Sequence, residues 1–410
     1  MLRLLRSNPW VVIALLSVIS LLNYFDRQSL SVVAPQVQAA LHLSDTGYAH
    51  VVSIFLFASA ITFVFAGFVS DAMGTRRSMT LFVTLWSLAE VATAFVTSGV
   101  QLGAARFGLG LGEPGLWVAA PKAVGEVLEK KHRSLAVGIY TAGATLGAIV
   151  AVPLTIAIAL RHGWPAVFIV SGVAGLVWVP VWLLIYRNAP ASEANEGSLG
   201  NGFAAFKALL VRKEMWQLMI ARGMTDPVWF FYLFWFPKYL ISARHFSTAQ
   251  LAQLGWIVYL FGGIGTILGG LLSGYYIRKG YAPGIAYRRA MSISAVLVLL
   301  SPLAATAPGI TLSIVIASIM AMAHMSWLIN LTSVLLEVFP AGQLGKGAGM
   351  VAAGSAFGGM ISTELVGYFV THGGYGPAFL LMGVMHPLAL ALLWTAFRTK
   401  REPSYAEITA

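Results

Sequence analysis

ITFVFAGFVSDAMGTRRSMTLFVTLW, residues 61–86, places two apolar runs on either side of a short turn that carries Asp71, Arg76 and Arg77. Read outward, the runs extend over 47–70 and 78–97. A helix needs about 20 apolar residues to cross a bilayer, and each run supplies them. Two such runs joined by a basic turn describe a chain that crosses the oil and comes straight back.

The rest of the chain repeats this pattern. Hydrophobic residues make up 58% of the 410 positions and charged residues 10%, against about 45–50% and about 25% in an average globular domain. So few charges could not cover a water-soluble body of this size. Cysteine is absent, which excludes a disulfide framework and thiolate metal sites. The net charge of +11 does not point to nucleic acid, because the basic residues sit in short clusters between apolar runs and read as topology signals. The amino terminus imitates a signal peptide, with Arg3 and Arg6 ahead of Trp10–Leu22 and Val37-Gln38-Ala39 placed like a cleavage site. The apolar run continues past Asp26-Arg27 to Val33, so the segment is read as an uncleaved first span.

The length rule gives twelve spans, near 10–34, 47–70, 78–97, 101–121, 134–160, 165–186, 215–241, 250–276, 290–306, 309–336, 347–371 and 377–397. Lys and Arg in the connections mark the cytoplasmic side. Arg3, Arg6, Arg76, Arg77, Lys130, Lys131, Arg133, Arg187, Lys207, Arg212, Lys213, Arg278, Lys279, Arg288, Arg289, Lys346, Arg398, Lys400 and Arg401 fall on one side, and only Arg161, Lys238 and Arg244 on the other. This predicts a multi-pass protein of the cell (inner) membrane with both termini cytoplasmic. The polar stretch 187–214, with Pro190, Ser192, Glu193, Asn195, Glu196, Gly197 and Ser198, reads as a cytoplasmic linker between a six-helix bundle over 1–186 and a second over 215–410. The bundles look like repeats: Glu126, Gly138, Gly143 and Gly147 match Glu337, Gly349, Gly354 and Gly358 at one constant offset. Asp26 and Asp226 open the polar parts of spans 1 and 7, and Gly67-x-x-Ser70 matches Gly270-x-x-Ser273. Repeated halves of six spans are a transporter signature, with the site expected between them near the midplane.

Charges inside hydrocarbon cost about 2.5–3.5 kcal/mol each on the insertion scale, so they mark function by default. Asp26, Arg27, Glu90, Arg106, Glu113, Arg222, Asp226 and Glu364 are the candidates. Arg106 and Glu113 are two helical turns apart on one face, and the helix rise puts Arg27 and Arg106 both roughly 5–10 Å from the outer boundary. Two guanidiniums at one depth form an anion site, since the planar fork suits a carboxylate. Glu113 lies deeper, where burial disfavours the charged form and a carboxylate can take up and release a proton. Arg106 with Glu113, or Asp26 with Arg27, could instead be structural ion pairs. Arg222 and Asp226 are one turn apart and read as a self-compensated pair beside Pro227. Glu90 and Glu364 lack obvious local partners and stand as proton-site candidates, and His324 and His386 look isolated, with packing or capping roles. Ser326, Asn330 and Ser333 make one polar stripe on span 10, while Trp229, Tyr232 and Trp235 in span 7 offer rings to stack a sugar. The paired glycines of spans 5 and 11 permit close, sliding helix contact. No nucleotide-binding loop, metal cluster or nucleophile–base arrangement is visible, so no cofactor and no enzymatic activity are expected, and ATP-driven transport is disfavoured.

Gly67-Phe-Val-Ser-Asp71-Ala-Met-Gly74-Thr-Arg76-Arg77 resembles the loop 2–3 motif of the major facilitator superfamily. The resemblance implies a gating role for Gly67, Asp71, Gly74 and Arg76; the motif departs at Ala72 and Thr75, where basic residues are usual. A closer resemblance is to the anion:cation symporter family, especially hexuronate and aldonate transporters. It is carried by Asn23-Tyr-Phe-Asp26-Arg27, Arg106-Phe-Gly-Leu-Gly-Leu-Gly-Glu113, Thr225-Asp226-Pro227-Val-Trp229 and Phe234-Trp235-Phe-Pro237. It implies that Arg27 binds the substrate carboxylate, that Asp26 and Glu113 carry protons, and that Arg106 supports the glutamate. Ser59 and Phe63 stand where that family often has Tyr and Gln lining the sugar pocket. The expectation is therefore an all-α membrane protein of twelve transmembrane helices in two pseudo-symmetric bundles, a monomer. It would carry out proton-coupled symport of an organic carboxylate by alternating access, with a sugar acid as the leading substrate. Arg27, Arg106, Ser59, Trp235, Tyr232, Ser326 and Asn330 would face the substrate. A smaller monocarboxylate, or an exporter or uniporter of another small solute, is the alternative.

Overall fold

The computed structural model describes residues 8–187, 206–339 and 341–397. Arg3, Arg6, Arg398, Lys400, Arg401 and linker residues 188–205 lie outside them. Among the described residues the helices make twelve spans and no strand. Span 1 is Pro9–Val32, spans 2 and 3 share Asp45–Thr93, and span 4 is Gly99–Gly112 continued by Pro114–Val127. Span 5 is Lys130–His162 and span 6 is Trp164–Ile185. The second half repeats this with span 7 as Lys213–Phe234 plus Phe236–Ser242, span 8 as Thr248–Leu254 plus Ile257–Arg278, and span 9 as Pro283–Val298 plus Ser301–Thr306. Spans 10, 11 and 12 are Ile310–Val338, Ala341–Gly373 and Gly376–Phe397.

Proline sets several of the boundaries. Asn8 caps span 1 through Trp10 N (3.0 Å), with Pro9 in the first turn. The span stops at Val32 rather than 34, because Pro35 cannot donate into the preceding turn. A separate short helix, Ala34–Leu41, then lies on the side away from the described termini, the outer side in the orientation expected from the basic residues. Pro114 divides span 4 at Glu113 in the same way. Span 9 begins at Pro283, earlier than expected, and so carries Arg288 and Arg289 on the helix itself. The turn between spans 2 and 3, expected over 71–77, reduces to one non-helical residue, Gly74 (φ 74°, ψ 158°). That left-handed conformation favours glycine. No longer loop is needed because neighbouring spans satisfy the turn's polar groups: Arg76 donates to the carbonyls of Tyr186 (3.0 Å) and Leu183 (2.6 Å), and Lys122 pairs with Asp71 (2.9 Å).

The repeat seen in the glycines is a packing repeat. A Cβ on Gly143 or Gly147 would sit 2.3 Å from Ser17 O or 2.2 Å from Leu21 O, so span 5 lies backbone-to-backbone on span 1. Gly354 and Gly358 do the same to span 7, meeting Met219 (Cγ 2.3 Å) and Gly223 O (1.9 Å). Span 4 wedges between spans 2 and 3 by the same device: a Cβ on Gly110 would meet Phe55 O at 2.3 Å, and one on Gly112 would meet the Trp86 backbone at 2.7 Å. Small residues at helix contacts let polar backbones approach in oil.

The two halves meet tightly on the outer side. Tyr48 donates to Phe234 O (2.6 Å), Ser53 to Met360 O (3.2 Å), Thr46 contacts Thr371 (3.1 Å), and Lys238 of span 7 pairs with Asp45 of span 2. Spans 5 and 8 touch in the outer half, where a Cβ on Gly263 would meet Thr145 (2.7 Å) and one on Gly255 would meet Val152 (3.3 Å). Two turns further in, on the same faces, Gly138 and Gly270 have no described atom within 4 Å of an added Cβ. Along spans 5 and 8 the seam is closed outside and open inside, while spans 2 and 11 stay in contact as far in as Gly349, where an added Cβ would lie 2.8 Å from Phe63 O.

Candidate functional site

A small cavity where spans 1, 2 and 4 meet Phe234 of span 7 is lined by Arg27, Leu30, Val52, Phe55, Arg106, Leu109 and Phe234, and marks the chamber between the halves. Both guanidiniums assigned to substrate from sequence therefore face one space. Their partners differ from the pairs read along the chain. Arg27 grips Glu113 through Nε (2.9 Å) and Nη2 (2.8 Å), both on Oε2, and leaves Oε1 unpartnered. Arg106 does not pair with Glu113 on its own helix. It reaches span 3, with Nη1 and Nη2 at 3.5 and 3.4 Å from the Glu90 carboxylate. Two turns of shared face set the register along a helix, but a carboxylate on the neighbouring helix lies nearer the guanidinium.

Span geometry explains each placement. The glycine wedge of span 4 brings Arg106 against span 3, and Phe168 of span 6 covers the guanidinium at 5.1 Å. Asn23 of span 1 ties to the break in span 4, donating to Glu113 O (3.4 Å) and accepting from Trp117 (3.3 Å). Tyr24 and Phe55 rings lie 5.3 and 5.5 Å from Arg27, close enough for cation–π contact. Asp26 is 1% exposed and lies against Ser171 of span 6. Its charged neighbours are Glu90, Glu113 and Arg106.

The remaining sequence candidates lie elsewhere. Ser59 is buried one turn beyond Phe55 and donates to its carbonyl (2.8 Å). Tyr232 and Trp235 belong to the outer closure, Trp235 lying edge-on to Tyr48 (5.2 Å). Ser326 accepts from Ser294 (3.2 Å), and Asn330 donates to Gly269 O (3.1 Å), so both fasten span 10 to its neighbours. Gly67, Asp71, Gly74 and Arg76 lie at the inner end of spans 2 and 3, where Asp71 and Arg76 engage spans 4 and 6 of their own half. Arg222 and Asp226 pair as read (2.8 Å), and Ser355 of span 11 adds a hydrogen bond to Asp226.

Three expectations are corrected. Glu90 has a partner, Arg106. Glu364, on the outer half of span 11 and partly exposed, has a partner in His50 of span 2 at 2.8 Å. His324 and His386 are not isolated: they hydrogen-bond each other across spans 10 and 12 (3.3 Å). The Glu90–Arg106 pair left a trace in the sequence, since the two residues stand at equal distance on either side of Ser98 in the turn between their spans. The other pairings join helices distant in sequence and left none.

The outer latch is a charge pair in which Asp45 accepts from the Gln38 amide (3.0 Å) and from the buried Lys238 ammonium. Asp45→Asn removes the charge and leaves buried Lys238 uncompensated, so it should raise outer accessibility. The chain's freedom from cysteine allows a direct measurement: Ser53→Cys, at a position buried against Met360 O across the seam, should label several-fold faster with an impermeant maleimide when combined with Asp45→Asn than on its own. Equal rates would show that the pair does not hold the seam.

Comparison with known proteins follows this geometry. Residues 16–332 match the family described as the Major Facilitator Superfamily. A hexuronate transporter of Escherichia coli (strain K12) is 25% identical over 99% of this chain and 98% of its own length. A galacturonate transporter of Dickeya chrysanthemi is 28% identical over 65% of this chain and 82% of its own length. Among solved structures, a bacterial homolog of the human lysosomal transporter Spinster, in an inward-facing and occupied conformation, superposes with a TM-score of 0.74. It is 20% identical and covers 95% of this chain and 97% of its own.

Proposed function

Because the chain belongs to the Major Facilitator Superfamily, a family of multi-pass membrane transporters, we propose that it carries an organic carboxylate together with protons by alternating access, with a hexuronate or related sugar acid as the leading substrate. The observation that carries this reading is the paired arrangement of Arg27–Glu113 and Arg106–Glu90 at one chamber between the halves. A guanidinium already holding a carboxylate is a site shaped for a carboxylate. A substrate anion can take that place only if the resident acid is neutralised, since an unpaired buried charge is strongly disfavoured. Proton and anion then favour the same loaded state, as coupling requires. Relatives whose names specify hexuronate and galacturonate support the substrate class. The basic residues gathered on one side of the spans support cytoplasmic termini, and 187–214 serves as the link between the two six-helix halves.

The remaining chamber wall is apolar (Leu30, Val52, Phe55, Leu109, Phe234), which favours a smaller carboxylate as the second reading. The test is uptake into proteoliposomes under an imposed pH gradient, with radiolabelled D-glucuronate challenged by aldonates, short monocarboxylates and neutral sugars. Gradient-dependent uptake competed by uronates is expected. Competition by short monocarboxylates alone would move the assignment to the second reading, and uptake indifferent to the gradient would end the proton coupling.

A further inference from the structure

We infer that Glu90 is a proton-carrying and positioning residue of this site: it holds Arg106 on span 3 while the chamber is empty and takes up a proton when a substrate carboxylate claims the guanidinium. The inference rests on the transport reading above and adds a group that the resemblance to known transporters does not assign.

Glu90 is fully buried, and Arg106 is 3% exposed while lining the chamber. Their contact is looser than that of the other pair, 3.4–3.5 Å against 2.8–2.9 Å. Arg106 Nε has no partner, so the guanidinium has donor capacity that Glu90 does not use. The charged groups facing Glu90 are Arg106 and Glu113 from span 4 and Asp26 from span 1. Span 6, packed on the same stretch of span 3 through Gly172 and Gly175 against Ser87, brings Phe168 and Ser171 rather than a charge.

The exchange balances as follows. Arg106 begins paired with the Glu90 carboxylate. A substrate carboxylate displaces it, one proton from the aqueous side binds the freed Glu90 oxygen, and the local charge is unchanged. The same carboxylate bridges to Arg27, where Glu113 takes up a second proton, so the fully loaded site carries one positive charge more than the unloaded one and uptake is electrogenic; Asp26 can gain or lose its own proton without altering what Glu90 contributes. Removing the Glu90 carboxyl therefore lowers the proton count per substrate by one, whatever the total.

The experiment is a null-point measurement. Proteoliposomes containing the full chain are equilibrated with labelled D-glucuronate, the pH gradient and membrane potential are set independently, and the condition of zero net flux gives protons moved per substrate. Wild type, Glu90→Gln and Glu90→Asp are compared. The expected result is one proton fewer in Glu90→Gln and the wild-type count in Glu90→Asp. An unchanged count in Glu90→Gln overturns the inference and leaves Glu90 a static counter-ion, because a structural role alters rates but not the null point. Should Glu90→Gln be too unstable to reconstitute, proton uptake on adding D-glucuronate to purified wild type and Glu90→Asp in weakly buffered detergent decides. Infrared difference spectra must then show a new protonated carboxyl that shifts with the Asp substitution, and a band that does not shift overturns the inference. Wild type that moves D-glucuronate without protons overturns this inference and the proton coupling together.

Discussion

Proteoliposomes carrying Glu113→Gln should fail to accumulate a carboxylate against a gradient while still exchanging it at close to the wild-type rate. Glu113 Oε2 takes two hydrogen bonds from Arg27, and the carboxylate is fully buried. Glutamine imitates the protonated acid in size but carries no charge. Loaded carriers are unaffected, because in them the substrate already occupies Arg27. The empty carrier must instead return with a bare guanidinium in a low-dielectric site. Removing one partner of a buried pair costs about 3–5 kcal/mol, which slows the empty return by roughly 10² to 4 × 10³-fold at 1.4 kcal/mol per decade. Counterflow needs no empty return and should persist. Accumulation at the wild-type level in this variant would show that Glu113 is a structural counter-ion.

How the two pairs form also shows where sequence reading stops. The bilayer makes class and span count legible, because twenty apolar residues in a row have few other uses. The repeat was legible because close backbone contact demands glycine at fixed positions: Gly143 and Gly147 against span 1, and Gly354 and Gly358 against span 7. Arg27, Arg106 and Glu113 stood out because a charge in oil needs a reason. Their partners were not legible, since pairing depends on helix rotation and on which neighbour lies across the gap. Arg106 and Glu113 share a helix face yet bond to different helices. Lys238 and Asp45 are 193 residues apart in sequence, and their meeting records only that the outer side is shut. Tyr232 and Trp235 looked like sugar-stacking rings because an aromatic in span 7 has the same letter whether it faces a chamber or a seal. Conformation is a property of the seam, and a single sequence must serve both of its states.

That last point yields the second large effect. Gly138→Leu should leave the protein as stable as wild type, or more so, and nearly stop transport. In the conformation described, an added Cβ meets no described atom within 4 Å. Replacing a helix-interior glycine with leucine gains about 0.5–1 kcal/mol of helix preference. Gly138 nevertheless lies two turns from Thr145, which touches Gly263, and Gly270 lies two turns from Gly263 on the facing span. Closing the inner side while the outer side opens must bring these two bare backbones together. A leucine between them overpacks the closed seam by about 1–3 kcal/mol, lowering the outward-open population roughly 10–100-fold. Gly358→Ala is the opposite control: its Cβ would lie 1.9 Å from Gly223 O in the seam of span 11 with span 7, so it should lower the thermal midpoint in detergent. Uptake, thermal midpoint and substrate binding to solubilised protein separate the two cases. Transport lost with binding and midpoint kept is the expected signature of Gly138→Leu, and normal uptake would show that the inner seam closes elsewhere.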